Sequence, residues 1–485
     1  MEQRVCRSQV QGGKLFIFIT FFPLSDFLHA VAVKANPVSA MLKIVLDKGL
    51  GIECASITEV FNGLEVGFPP EKIVFDSPVK TMPELKFALE KGILINVDNY
   101  QELEVMTKII KDLGHTKSTV GIRLNPILGV GDIQDLSVCT ADSKFGVQLT
   151  ESTREELINL YMDRPWLTGV MIHAGSQSFD CHDLTCGVKR IVEFALEVNR
   201  RVGKTQVNVI DIGGGLTINR DDDTVRPSFQ DYAQDLKKNV PELFPSFGVF
   251  KKVVTEFGQG FNAKAGWLAS RVEYTKVASD DLRIALIHFG ADMMMRTCYC
   301  PKVSKYQRRV QVFDGEGRPK EGEGMRYNIA GPLCFSGDVV KRDVFLPMIE
   351  RGDYIILHDC GANSLSVFCR HCSRQAPPVI GRFLHCINNG MRYNIAGPLC
   401  FSGDVVKRDV FLPMIERGDY IILHDCGANS LSVFCRHCSR QAPPVIGYHV
   451  QEDGKVNFEV LKEAETVEDL LIFWKGRKPK TTDLQ

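Results

Sequence analysis

The chain has 485 residues, 44% of them hydrophobic and 24% charged, an ordinary globular composition with room for two or three domains. A formal net charge of −1 and a pI near 6.8 leave no electrostatic footprint for nucleic acid or an anionic membrane, so small molecules or proteins are the expected partners. The 16 cysteines lack the density of a small secreted disulfide scaffold and point to free thiols in a reducing, cytoplasmic setting.

Residues 1–28 read as an irregular or truncated leader. The apolar run LFIFITFFPL (15–24) follows Arg4, Arg7 and Lys14 and resembles the apolar core of a signal peptide. It is too short to span a bilayer and no clean cleavage pattern follows, so a buried strand or leader is expected, with organelle targeting as the alternative.

From residue 29 the pattern alternates short β-branched runs with amphipathic segments. The strand candidates are HAVAV (29–33), LGIEC, KIVFDS, ILINVD, TVGIRLNP, GVMIHAG, VNVIDIGG and KVVTEFG. Segments with helical spacing lie between most of them, often closed by glycine. Eight such units predict an α/β fold, a (β/α)8 barrel over 29–270. Barrels gather their chemistry at the C-terminal strand ends, and the polar outliers fall there. Lys34 closes the first strand and Glu53 the second, with Asp76 at the third, Arg123 and Asn125 at the fifth, His173 at the sixth, Gly213, Gly214 and Gly215 at the seventh and Glu256 at the eighth.

Each residue type suits one task. A partly desolvated lysine amine at a barrel mouth can form a Schiff base with an aldehyde such as pyridoxal phosphate; alone, Lys34 also reads as a plain strand-end lysine. DIGGGL after a strand offers backbone N–H groups to a phosphate, or is a simple turn. Glu256 is placed to hold a protonated pyridine nitrogen, and His173 to orient a flat ring.

Beyond residue 270 strand-like runs without long helices predict a mostly β domain over 271–470, followed by a polar tail over 471–485; DGEG within it is a hairpin-turn candidate. This domain contains a repeat: residues 324–381 recur unchanged as 390–447, an offset of 66. Structural repeats diverge, so identity over 58 residues argues for a recent exon duplication or a gene-model error. One copy is expected to fill the domain and the other to be extruded or misfolded. The paired CRHC motifs (369–372 and 435–438) are a by-product of the copying, so no metal site is expected from them.

In order along the chain, VAVKANP, IECAS, SKFG, HAGSQ, DIGGGL, GPLCFSGD and HDCGAN resemble the motifs of the fold-type III pyridoxal-phosphate decarboxylases, the family of diaminopimelate, ornithine and arginine decarboxylases. HAGSQ and the C-x-S-G-D element are most similar to the diaminopimelate branch. The resemblance implies a pyridoxal phosphate cofactor bound as a Schiff base on Lys34, with His173 on its ring and Glu256 at its ring nitrogen. Ser176 with Gly213, Gly214 and Gly215 would hold the phosphate, Glu53, Arg123 and Gly258 would complete the cofactor site, and Arg296 would bind a substrate carboxylate. It further implies a head-to-tail homodimer with shared sites, in which Cys334, or its copy Cys400, returns a proton from the partner subunit, with Asp338 and its copy Asp404 beside the substrate. The implied activity is decarboxylation of meso-diaminopimelate to lysine. Ornithine- or arginine-type decarboxylation, a racemase and a non-catalytic relative are the alternatives.

Three departures bear on this reading. Gln259 stands where the family has an arginine after E-P-G, and Asn363 (Asn429 in the copy) where it has a tyrosine. Phe335 (Phe401 in the copy) replaces an acid and cannot pair with a distal ammonium.

Overall fold

The computed structural model describes residues 4–8, 27–129, 131, 137–176, 179–364, 366–369, 390–399, 404–413, 435–442, 445–450 and 456–475. A first strand, β1 (Arg4–Ser8), lies in the stretch expected to be a leader. It pairs antiparallel with β11 (Gly266–Arg271) and so belongs to the second domain. The apolar run 15–24 lies outside the described residues.

The barrel consists of β2 (Phe27–Ala32), β3 (Gly51–Cys54), β4 (Ile73–Asp76), β5 (Leu94–Val97), β6 (Val120–Asn125), β8 (Leu167–Met171), β9 (Val209–Asp211) and β10 (Lys252–Thr255); a two-residue β7 (Val147–Gln148) flanks β6. All eight pair in parallel, in the order β5-β4-β3-β2-β10-β9-β8-β6, and β5 pairs with β6 to close the ring. These strands are buried on both faces, and that is why they read as continuous apolar runs rather than alternating ones. The helices start and stop where local chemistry dictates. Ser56 and Asn99 accept N–H bonds from Glu59 and Glu102 at helix starts, and Gly67, Gly92, Gly114 and Gly203 close helices at positive φ. The shell core is Ile52, Val60, Leu85, Met106, Tyr161, Phe194 and their neighbours.

The second domain is two sheets around a separate core of Leu268, Phe289, Tyr327, Ile329, Val340 and Ile355. One sheet runs β1-β11-β17-β14, with β14 at Val310–Phe313 and β17 at Tyr354–Leu357. The other contains β12 (Tyr274–Val277), β13 (Leu282–Leu286), β15 (Gly324–Ala330) and β16 (Val339–Pro347) in that order. The first copy of the repeat therefore supplies β15, β16 and β17.

The second copy is not simply extruded. Its β18 (Gly390–Ala396) and β19 (Val405–Pro413) form a separate hairpin, and residues 435–442 return to the barrel. Cys369 and Cys435, the same residue of the two copies, face each other across an antiparallel bridge. Equivalent residues of the two copies, one repeat length apart along the chain, are thus neighbours in the structure. Beyond residue 442 come a two-stranded sheet of β20 (Val445–Val450) with β21 (Val456–Lys462) and a helix at Val467–Lys475.

Candidate active site

Lys34 sits on one 3-10 turn, Val33–Ala35, directly beyond β2. Its Nζ lies 2.5 Å from Glu53 Oε2 on β3, whose side chain is fully buried. Burial raises the Glu53 pKa despite the opposing pull of Lys34. The turn carrying Lys34 is clamped from the β domain: Asn363, at φ 56°, donates its backbone N–H to Ala35 O at 2.9 Å. The asparagine that replaces the family tyrosine therefore holds the lysine turn through its backbone N–H, and its side-chain amide donates to Lys34 O at 3.5 Å.

Beneath this mouth lies a polar layer. Arg123 on β6 donates to Asp76 at the end of β4 over 3.1 Å and stacks on Phe145 at 4.4 Å. Asp211 at the end of β9 accepts from Asn96 Nδ2 at 3.0 Å and Gly213 N at 2.9 Å. Burial pushes Asp211 and Asp98 each up to about 7. Glu256, one residue past β10, is raised well above the carboxylate range by burial and then by Asp211, Glu53 and Asp76. Carboxyls here outnumber the cations they share, Lys34, Arg123 and Lys80.

His173, two residues past β8, accepts the Gly214 N–H on Nδ1 at 3.0 Å and lies 4.0 Å from Glu256 Oε2. Its pKa is held well below the usual value by burial, Arg123 and Lys34. The ring is neutral, with its proton on Nε2. The glycine run has to be glycine: a Cβ on Gly213 would meet Ile172 O at 2.3 Å, on Gly214 Glu256 O at 2.4 Å and on Gly215 Gly175 O at 2.0 Å.

An open cleft at this mouth is lined by Lys34, His173, Ser176, Gly215, Glu256, Gly258, Gln259, Arg296, Asn363 and His437. Of the residues singled out from sequence it brings together Lys34, His173, Ser176, Gly215, Glu256, Gly258 and Arg296. Glu53, Arg123, Gly213 and Gly214 stand behind this lining and hold it. Others lie elsewhere. Cys334 is exposed and outside the lining, and Cys400 falls outside the described residues. Asp338 is turned into its own domain, accepting N–H groups from Ala291 at 2.5 Å and Leu333 at 2.7 Å, so its carboxylate folds a loop rather than facing substrate in this chain. Asp404 pairs with Lys144 at 2.9 Å.

Two contributors escaped the sequence reading. Arg220, half-buried in the loop after β9, donates to Gln259 Oε1 at 3.0 Å and brings a guanidinium beside the position that lacks the family arginine. Burial pulls its pKa down to about 9. His437 belongs to a motif set aside as a copying by-product; the continuity of copy two with the chain after residue 447 was the available signal.

The residues fit pyridoxal phosphate on structural grounds. Among the described residues Glu53 Oε1 and Glu256 Oε1 are buried without hydrogen-bond partners, beside a cleft lined by Ser176 and by Gly215 of the glycine turn. A protonated ring nitrogen is the cation that the Glu256 carboxyl lacks.

The constellation is that of a pyridoxal-phosphate enzyme built on a parallel barrel. Comparisons agree. The profile of the pyridoxal binding domain of pyridoxal-dependent decarboxylases matches residues 21–263, and that of the decarboxylase C-terminal sheet domain matches 370–427. The chain belongs to the pyridoxal-dependent decarboxylase family. Among curated relatives, the diaminopimelate decarboxylase of Aquifex aeolicus is 29% identical over 70% of this chain and 76% of its own length. That of Bacteroides thetaiotaomicron is 28% identical over 71% and 86%. Among solved structures, diaminopimelate decarboxylase from Helicobacter pylori complexed with L-lysine superposes with a TM-score of 0.65 at 20% identity, covering 98% of this chain and 97% of that one. The arginine decarboxylase of Paramecium bursaria Chlorella virus gives 0.61 at 22% identity, covering 75% and 92%. At these identities the structural likeness establishes the fold.

Proposed function

We propose that this decarboxylase acts on meso-diaminopimelate, releasing CO2 and leaving lysine. The observation that carries the reading is Arg296 in the same cleft as Lys34 and Glu256. A guanidinium bound to the carboxylate that leaves would stabilise the substrate and oppose loss of CO2. Arg296 is therefore suited to a carboxylate that stays, and a substrate with two carboxylates satisfies it. The curated relatives matched above carry the same activity in their names.

Bound pyridoxal phosphate supplies an electron sink for the pair left by departing CO2. The chain's residues supply the rest. Lys34, beside Glu53, presents the amine that carries the cofactor, and Glu53 is placed to take or hold its proton. Gly214 fixes His173 in one tautomer, so a neutral imidazole rather than a charge would meet a bound cofactor ring. Ser176 and Gly215, with Gln259 beside them in the cleft lining, would receive the phosphate, while Gly213 and Gly214 give their N–H groups to Asp211 and His173 and so shape the turn. The proton that replaces CO2 is assigned to Cys334 or Cys400. Cys334 is exposed away from its own cleft, an arrangement suited to delivery into a second chain of a homodimer.

The test is a titration of purified protein with pyridoxal phosphate. A visible absorbance band that borohydride fixes onto Lys34 is expected, with CO2 and lysine formed from meso-diaminopimelate. Lys34→Ala that keeps full turnover overturns the reading; faster release from ornithine or arginine reassigns the substrate.

A further inference from the structure

His437 is 5% exposed, lines the cleft beside Lys34 and Arg296, and neither ring nitrogen has a hydrogen-bond partner among the described residues. A buried imidazole with both nitrogens unmet is costly unless something in the cleft meets it. It is also held in place. Ser439 Oγ donates to Glu59 at 3.1 Å, Arg440 donates to Ser77 Oγ at 3.0 Å, and Arg436 forms an ion pair with Glu465. The ring is on a short 3-10 turn, His437–Ser439, in which Cys438 and Ser439 take positive φ.

We propose that His437, delivered by the second copy of the repeat, is a substrate-binding residue that shares with Arg296 the carboxylate retained during decarboxylation. Three cations surround it. Burial first, and then Arg296, Lys34 and Lys144, push the imidazole down to about 3, so the ring enters the cleft neutral, with one N–H to donate. That electrostatic setting favours an anion over the distal ammonium of a simple diamino acid. The inference rests on the decarboxylase reading above and sharpens it: with Phe335 unable to read a distal ammonium, discrimination shifts to the second carboxylate.

The repeat provides an internal control. His371 is the same residue of copy one, and the chain reaches the cleft from copy two. In the full-length holoenzyme, His437→Ala is expected to raise KM for meso-diaminopimelate by roughly 10- to 100-fold, the range for loss of a hydrogen bond to a charged group, with kcat changed far less. His437→Gln, which keeps an N–H donor, should recover much of that loss, and His371→Ala should leave KM unchanged. Equilibrium displacement by glutarate, followed through the cofactor absorbance, is the readout independent of turnover. Glutarate should weaken with His437→Ala by a similar factor, while the pyridoxal phosphate dissociation constant stays put. Equal effects of the two alanine variants, or unchanged glutarate binding in His437→Ala, overturn the proposal. Absence of the cofactor band in the unaltered protein overturns the decarboxylase reading instead.

Discussion

The two copies of the repeat share every residue and differ in what they touch. Their hairpins are built alike: Gly324 pairs with Pro347 and Gly390 with Pro413, with register shifts at equivalent places. The loop at each hairpin end is also closed alike, since Gly331 N bonds to Asp338 O and Gly397 N to Asp404 O, and each aspartate accepts the N–H of the equivalent leucine, Leu333 or Leu399. The difference begins one contact further out. Asp338 takes the backbone N–H of Ala291 inside the β domain, whereas Asp404 takes the ammonium of Lys144 on the loop after β6, which also donates to Gly397 O at 2.5 Å. Local sequence decides the hairpin and the loop; the neighbour is decided by which copy reaches the domain first.

The sharpest way to break this comparison is to remove the two aspartates separately. Asp338→Ala leaves two buried backbone N–H groups without their acceptor, and the expected loss is about 2–5 kcal/mol. Asp404→Ala removes one partly exposed ion pair, its side chains 10% and 18% exposed, and one loop hydrogen bond; about 1 kcal/mol is expected. Denaturant unfolding of both variants measures the gap. Equal losses would mean that the copies share one environment.

A second test uses pH to loosen what copy two is attached to. Asp98 and Asp211 sit in the barrel interior with pKa values near 7, against about 3.9 for an unfolded aspartate. The folded protein holds these protons more tightly, so the stabilisation is complete below about pH 3.9 and is lost as pH rises through 7. Before cofactor is added, hydrogen exchange at the barrel strands and at 435–442 should therefore quicken together from pH 4 to 7, with the exchange rate corrected for its intrinsic pH dependence. Strands β15 and β16 should not follow. Adding pyridoxal phosphate should flatten the trend, because a cation beside Glu256 favours ionised carboxyls. A rise in barrel stability over that range would contradict the acid layer described above.

The barrel was legible for a physical reason. Parallel strands buried on both faces leave long apolar runs, and their polar residues are confined to the ends, so Lys34, Glu53, Asp76, Arg123, His173 and Glu256 stood out without any contact information. Asn363 and Gln259 were visible as departures, but not as what they do. Asn363 acts through its backbone on Ala35, and Gln259 is met by Arg220 from a loop of consecutive aspartates that has no periodicity. The copies were illegible in principle, because identical strings cannot announce different neighbours. His437 follows from the point of re-entry, a tertiary fact.

The last test removes the difference between the copies altogether. Deleting residues 370–435 joins Cys369 to Arg436 and leaves the CRHC sequence intact, since both cysteines are the same residue of the repeat. The β domain keeps β15, β16 and β17, and the cleft keeps His437. Two small terms oppose each other. The chain is relieved of closing a long loop, a cost that grows by only about 0.6 kcal/mol per doubling of length. It also loses the Lys144–Asp404 contact, an ion pair of the kind worth about 1 kcal/mol or less. Midpoint of unfolding, pyridoxal phosphate affinity and KM should accordingly all stay close to those of the full chain. A deletion protein that folds but no longer binds cofactor would show that the deleted segment shapes the barrel mouth. A fall in KM sensitivity to His437→Ala would place the second copy's contribution in the loop around Lys144 rather than in the re-entry turn.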